Sequence, residues 1–391
     1  MAAKKVNNTM RFSWQNPTFR SVVYQILVLG IVAFVVWYLV SNTLHNLSVR
    51  NIATGFGFLD SEAGFAIGES SITYSPADTY KRAIFVGLLN TLKVSLIGIV
   101  LATLLGTLVG IARLSANWLL AKLATCYIEA IRNVPLLIQL FFWYALITEN
   151  LPGPRQAMNP VNGVFLSNRG LKFPALVGES LTGIWLGLLL AVILVFVLYF
   201  VSGKRQDRTG NPLPVAKIGL GLLLALPLAG YVAGGASLTL ELPALKGFNF
   251  AGGLSISPEL TALLAGLVIY TSVFVAEIVR SGIQSIGTGQ WEAARSVGLG
   301  RGKVLRLVIL PQALRVMIPP LTSTYLNLVK NSSLAVAIGY PDIVSVVNTA
   351  LNQTGQAIEG VLIIMAAYLT VSLSISIFMN WYNRQIALVE R

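Results

Sequence analysis

Eight stretches of this chain are apolar for roughly twenty residues each, the length of helix needed to cross the hydrocarbon core of a bilayer. They cover approximately 22–44, 84–111, 123–147, 181–201, 218–238, 260–279, 310–329 and 361–379. Such windows leave few folds open, because backbone in hydrocarbon must satisfy its hydrogen bonds within a helix or around a closed barrel. Barrel strands would show alternation over about ten residues, whereas these windows are apolar throughout. The expectation is an all-α, polytopic membrane bundle of about eight transmembrane helices. Only 11% of the residues are charged and the mean hydropathy is +0.73, far from the roughly 25% charge of soluble domains.

The first window follows Lys4, Lys5, Arg11 and Arg20. It is longer than the 7 to 15 residue core of a signal peptide, so it is expected to be a retained helix that starts in the cytoplasm. The segments 1–21, 112–122, 202–217, 280–306 and 380–391 then share one side and hold 17 of the 28 Lys and Arg residues. The positive-inside rule makes that side cytoplasmic, with both termini inside a bacterial inner membrane. The formal charge of +13 sits between apolar runs rather than on one basic and aromatic surface, which favours lipid headgroups over nucleic acid. A single cysteine, Cys126, and a single histidine, His45, exclude a disulfide framework and leave no transition-metal cluster. The expected organisation is a cytoplasmic segment 1–21, a leading helix 22–44, an outer loop 45–83 and a transmembrane domain 84–385. Within that domain, Gly/Pro-rich 151–174 and polar 204–217 read as exposed connectors around a helical hairpin inserted at about 150–258.

The loop 285–311 is the most informative cytoplasmic segment. Good helix formers run to Ser296, Gly298-Leu299-Gly300 interrupts them, and 301–310 can form a second helix. This predicts two short helices meeting at an angle. One reading is an amphipathic helix at the headgroups with Arg295, Arg301, Lys303 and Arg306 snorkelling. The other is a bent insert gripped by a second protein. Glu292-Ala293-Ala294, with glycine six positions after the glutamate and Leu310-Pro311 eighteen and nineteen positions after it, resembles the signature of ATP-binding-cassette importer permeases. That resemblance implies a coupling loop, with Glu292, Ala293, Ala294, Gly298 and Arg301 docking on a separate ATPase. Gly298 is expected to be small because a side chain would collide with the turn or distort it.

The resemblance narrows to the polar amino-acid permease family through Asn90-Thr91, Glu129-Ala130-Ile131-Arg132, Val134-Pro135-Leu136-Leu137, Ala276-Glu277-Ile278-Val279-Arg280-Ser281-Gly282-Ile283, Gln312-Ala313-Leu314-Arg315 and Lys330-Asn331-Ser332-Ser333-Leu334. These cover about 80–150 and 258–385. The chain looks like the long kind of member found in general L-amino-acid transporters, with one helix added in front and two in the middle. The resemblance implies a type I importer core of the MetI-like kind and a second, distinct but homologous permease chain. It also implies two cytoplasmic subunits that use ATP and Mg, and a periplasmic amino-acid-binding protein. Arg132-Asn133-Val134-Pro135 departs from the family's usual Arg-Gly-Thr-Pro.

Charges at membrane depth normally face a bundle interior or a wet cavity. Asn90, Arg132, Gln139, Glu277, Asn327, Lys330 and Ser332 are therefore the candidate substrate contacts, with Lys93 and Glu129 nearby. Arg132 with Glu277 would offer both signs to a zwitterion. Alternatively Glu129 pairs with Arg132, and Glu277 with Arg280, three residues apart on one helix face. Gly106 with Gly110 and Gly230 with Gly234 allow close helix approach. Pro319-Pro320 is expected to break its helix, as a hinge or a kink, and Trp14, Trp37, Trp143 and Trp381 to anchor at the interface. No G-x-x-x-x-G-K-[ST] occurs, so ATP binding by a P-loop is expected on another chain and no cofactor on this one. A secondary transporter with carboxylates as ion sites, and a membrane scaffold that only recruits a partner, are the competing readings.

Overall fold

The computed structural model describes residues 14, 16–49, 54–211 and 213–386. The N-terminal cations Lys4, Lys5 and Arg11, and the tail 387–391, lie outside the described residues. The helices are α1 (Pro17–Val49), α2 (Tyr80–Arg113), α3 (Trp118–Arg132), α4 (Leu136–Ala145), α5 (Ser180–Thr209), α6 (Val215–Ala233), α7 (Pro258–Gln284), α8 (Thr288–Ser296), α9 (Arg301–Val304), α10 (Leu310–Asn331), α11 (Ile343–Thr354) and α12 (Ala357–Ile386). Among the described residues, seven helices are long and apolar enough to cross a membrane, and an eighth span results if α3 and α4 are counted as one.

That pair occupies the window at 123–147 and is bent, α3 and α4 meeting at 99°. Pro135 has no N–H to continue the helix and forces the residue before it out of helical geometry. The Gln139 amide nitrogen closes the break, donating to the carbonyls of Ile131 at 3.0 Å and Val134 at 2.9 Å. By contrast, α10 runs unbroken through Pro319 and Pro320. Both prolines lie on its exposed side, where their rings need displace no neighbour.

Helices α2 and α7 form the central pair. A Cβ built on Gly106 would stand 2.5 Å from Val275 Cβ, and one on Gly110 would stand 2.7 Å from the Ala276 carbonyl. Backbone therefore meets backbone here, as small-xxx-small spacing allows. Around this pair, Leu140, Leu260, Leu263, Leu267 and Tyr340 are fully buried in one cluster, and Met317, Ile318 and Tyr325 of α10 join Val275 and Val279 in another. The expected hairpin is α5 with α6, packed at Gly183 against Gly230 and at Gly234 against Ser180. No described side chain of α1 is buried, in keeping with a helix that is apolar on every face.

The connectors are more ordered than their composition suggests. Four short strands, β1 (Met158–Val161), β2 (Val164–Ser167), β3 (Gly170–Phe173) and β4 (Ala175–Val177), precede α5. Four more, β5 (Thr239–Glu241), β6 (Ala244–Lys246), β7 (Asn249–Ala251) and β8 (Leu254–Ile256), follow α6. They pair antiparallel as β1-β2-β3-β8, β4-β5 and β6-β7. The region 151–174 is thus a small sheet at the end of the bundle opposite the loop 285–309. Trp143 packs against the core rather than standing free, and the Trp381 ring lies tilted against Phe196 and Phe200 of α5.

Candidate coupling loop and polar face

The loop after α7 folds as a bent wedge with its own core. Ala294, Val304 and Ile309 are buried together, with Trp291, Leu299 and Val308 packed around them. Helix α8 ends in a Schellman turn: Gly298 N–H donates to Arg295 O at 2.9 Å and Leu299 N–H to Ala294 O at 3.3 Å. This turn needs a left-handed residue, and Gly298 has φ +80. A Cβ on Gly298 would meet nothing within 4 Å, so the expected collision is absent and backbone conformation alone demands glycine. Gln312 Nε2 donates to Gln290 Oε1 at 3.2 Å and ties the wedge to α10. The tip presents Glu292, Ala293, Val297, Gly298 and Arg301, all exposed, with Val297 75% exposed. Of the apolar side chains of α8, Trp291 and Ala294 are turned inward onto the wedge's own core, while Ala293 is left at the surface.

Beside the wedge lies a charge network. Arg113, the last residue of α2, pairs with Glu277 of α7, whose second carboxylate oxygen accepts from Arg280 Nε at 2.9 Å. Arg280 in turn donates to Gln284 Oε1 at 2.5 Å. Arg132 pairs with Glu129 at 3.2 Å, and both lie within electrostatic range of Arg113. The two three-residue pairs therefore form, and Arg132 does not pair directly with Glu277. Glu277 stands about two turns from the end of α7, near the loop end of the bundle rather than at mid-depth. The partner that the sequence did not mark is Arg113, which ends a helix and sat among loop cations.

The other candidates separate into two groups. Asn90, Gln139 and Ser332 are buried: Asn90 Nδ2 donates to the carbonyls of Glu69 and Pro341, and Ser332 Oγ donates to Val329 O at 2.7 Å. Lys93 donates to Glu69 at 2.6 Å. Asn327 and Lys330, by contrast, share the exposed face of α10 with Ser323. Next to them, a cavity of roughly 320 Å³ between α7 and α10 is lined by Tyr270, Thr271, Phe274, Thr324, Asn327 and Asn331. A polar face on spanning helices is unfavourable against lipid and marks a wet path or a partner chain. The four-residue spacing of Ser323, Asn327 and Asn331 inside an apolar run carried that signal in the sequence.

Residues 98–388 match the family described as the inner membrane component of binding-protein-dependent transport systems. The chain is 52% identical to YhdX of Escherichia coli (strain K12), over 97% of each chain. It is 47% identical to the general L-amino acid transport system permease protein AapQ of Rhizobium johnstonii, over 98% of this chain and 96% of that one. A crystal structure of an amino acid ABC transporter with histidines aligns with a TM-score of 0.46 at 22% identity, covering 78% of this chain and 95% of the other. With a family match across most of its length and relatives aligned nearly end to end, the chain belongs to the family of inner-membrane components of binding-protein-dependent transport systems.

Proposed function

We propose that this chain is the membrane-spanning permease subunit of an ATP-driven importer that carries amino acids from periplasm to cytoplasm. The observation that carries the reading is the exposed Glu292 to Arg301 wedge, prefolded on its own core between α7 and α10. A rigid protrusion on two spanning helices turns a push from a docked ATPase into movement of the bundle. In this reading the wedge is cytoplasmic, as are both termini, and the sheet-bearing end faces the periplasm. Two ATP-binding subunits use ATP and Mg there, and this chain supplies no ATP site. A second permease chain, distinct but homologous, completes the pathway along the polar face of α10, and an amino-acid-loaded binding protein delivers substrate outside.

Amino acids are favoured as cargo by the likeness to AapQ, a general L-amino acid transport system permease protein, and by the charges available along the path. Asn327 and Lys330 line the polar face, while Arg132 and Glu277 sit at its loop end within a network carrying both signs. Asn90, Gln139 and Ser332 support the surrounding backbone and reach substrate only if those elements rearrange. The test is proximity: Val297→Cys, in a Cys126→Ser background, should crosslink to a copurifying ATPase subunit. Crosslinking to lipid-facing probes alone would remove the coupling assignment.

A further inference from the structure

The segment 54–79 crosses the sheet-bearing end of the bundle, and its two ends of contact differ in character. Its body is fixed by apolar packing, with Phe58 and Ala63 buried against Tyr80, Ala83, Val346 and Ala350 of α2 and α11. It closes on itself through Ala63 N–H to Asp78 O at 2.8 Å and Gly64 N–H to Pro76 O at 2.9 Å. Gly55 N–H also reaches Glu359 of α12 at 2.6 Å. The tip is held by polar contacts that converge on one residue. Glu69 accepts from Lys93 Nζ of α2 at 2.6 Å and from Ser257 Oγ, the N-cap of α7, at 2.6 Å, while its carbonyl accepts from Asn90 at 2.8 Å.

Glu69 is therefore placed where α2, the start of α7 and the chain leaving α10 come together. It lies within electrostatic range of Tyr340, which follows α10. Beneath it the Tyr340 hydroxyl and Asn90 Oδ1 are buried without a protein partner. A body anchored by apolar contact and a tip held through one residue, by an ion pair and two hydrogen bonds, is the construction of a strap with a release point.

We propose that 54–79 is a strap over the outer mouth of the polar face between α7 and α10, and that the Glu69 to Lys93 and Ser257 contacts are its latch. The inference rests on the proposed orientation, with this end outside. The latch opens when the bundle turns outward and recloses behind the substrate. Glu69 acts through the helices it ties and needs no contact with substrate.

The experiment uses the complete transporter in right-side-out vesicles, with Cys126→Ser and Asn327→Cys as a reporter on the polar face. Labelling by a membrane-impermeant maleimide is timed with the native latch and with Glu69→Ala combined with Lys93→Met. A third version carries Glu69→Cys and Lys93→Cys joined by a short reversible thiol crosslinker before the reporter is exposed to label. Removing the latch should speed labelling about tenfold, and joining it should slow labelling until reductant is added. Equal labelling in all three overturns the strap. Amino-acid uptake is measured in parallel vesicles that keep Asn327: labelling that follows the latch in the reporter vesicles while the chain with native Asn327 and native latch takes up no amino acid contradicts the cargo assignment and leaves the strap standing.

Discussion

Gly106 of α2 faces Val275 of α7 so closely that a Cβ on the glycine would stand 2.5 Å from the valine Cβ. The central helix pair is thus held at backbone contact, and neither partner has a flexible side chain end to give way. Gly106→Leu should overpack this seam and lower stability by about 1–3 kcal/mol. Gly30→Leu, where a Cβ meets nothing within 4 Å, serves as the matched control. Thermal melting of the detergent-purified protein checks the contrast, and equal melting temperatures would contradict the packing account.

At the wedge the prediction turns on conformation rather than space. Gly298 has φ +80 and open surroundings, whereas Gly300 has φ −65 and equally open surroundings. Gly298→Ala should cost about 1–2 kcal/mol of local stability and reduce ATP-driven uptake, with membrane insertion intact. Gly300→Ala should leave uptake unchanged. A collision mechanism would make the two substitutions alike.

The Arg113 to Glu277 pair ties α2 to α7 beside the wedge, with side chains about one-fifth exposed. Glu277→Gln leaves Arg113 and Arg280 facing each other without their shared counter-ion. Stability should drop, and Arg113→Met added to it should restore part of the loss, giving a coupling energy of about 0.5–3 kcal/mol in a double-mutant cycle. Additive losses would mean that the two charges act independently. Should Glu277 also touch substrate, the restored double variant would still show altered KM values that differ among amino acids.

Asp342 caps α11, accepting from Ser345 N–H at 2.8 Å, and is buried outside the spanning segments. Burial pushes its carboxyl up to about 7 from 3.8, with only partial relief from hydrogen bonds to Ser345, Val344 and Tyr368. Between those values the folded protein keeps a proton that the unfolded chain has lost, so stability falls as pH rises through this window. Asp342→Asn keeps a capping oxygen and carries no charge. It should be more stable than the wild type at pH 8, by up to about 4 kcal/mol, and the gap should close toward pH 4. A gap independent of pH would contradict the assignment.

The spanning helices and the bend at Gly298 were legible because each is set locally, by unbroken apolarity in one case and a glycine interrupting helix formers in the other. The break at Pro135 was hidden inside an apolar window whose hydropathy is blind to a single missing N–H. Strands β3 and β4 were hidden for the opposite reason: their pairing, as of Lys172 with Ser255 and Leu176 with Leu240, joins residues far apart in sequence. Charges gave the pairs three residues apart and missed Arg113, whose partner comes from another helix. Polar residues at depth marked candidates without saying which of them the fold uses internally, and that distinction separates Gln139 and Asn90 from Asn327.

The claim that ATP hydrolysed elsewhere drives this chain through its wedge is tested most directly by uptake into vesicles holding the copurified complex. Labelled amino acid and binding protein are supplied outside, and ATP with Mg is either sealed inside or omitted. The account predicts uptake only with internal ATP, unaffected by collapsing ion gradients and lost on Glu292→Ala despite normal membrane insertion. Uptake that follows an ion gradient without ATP, or that survives Glu292→Ala at the wild-type rate, would contradict it.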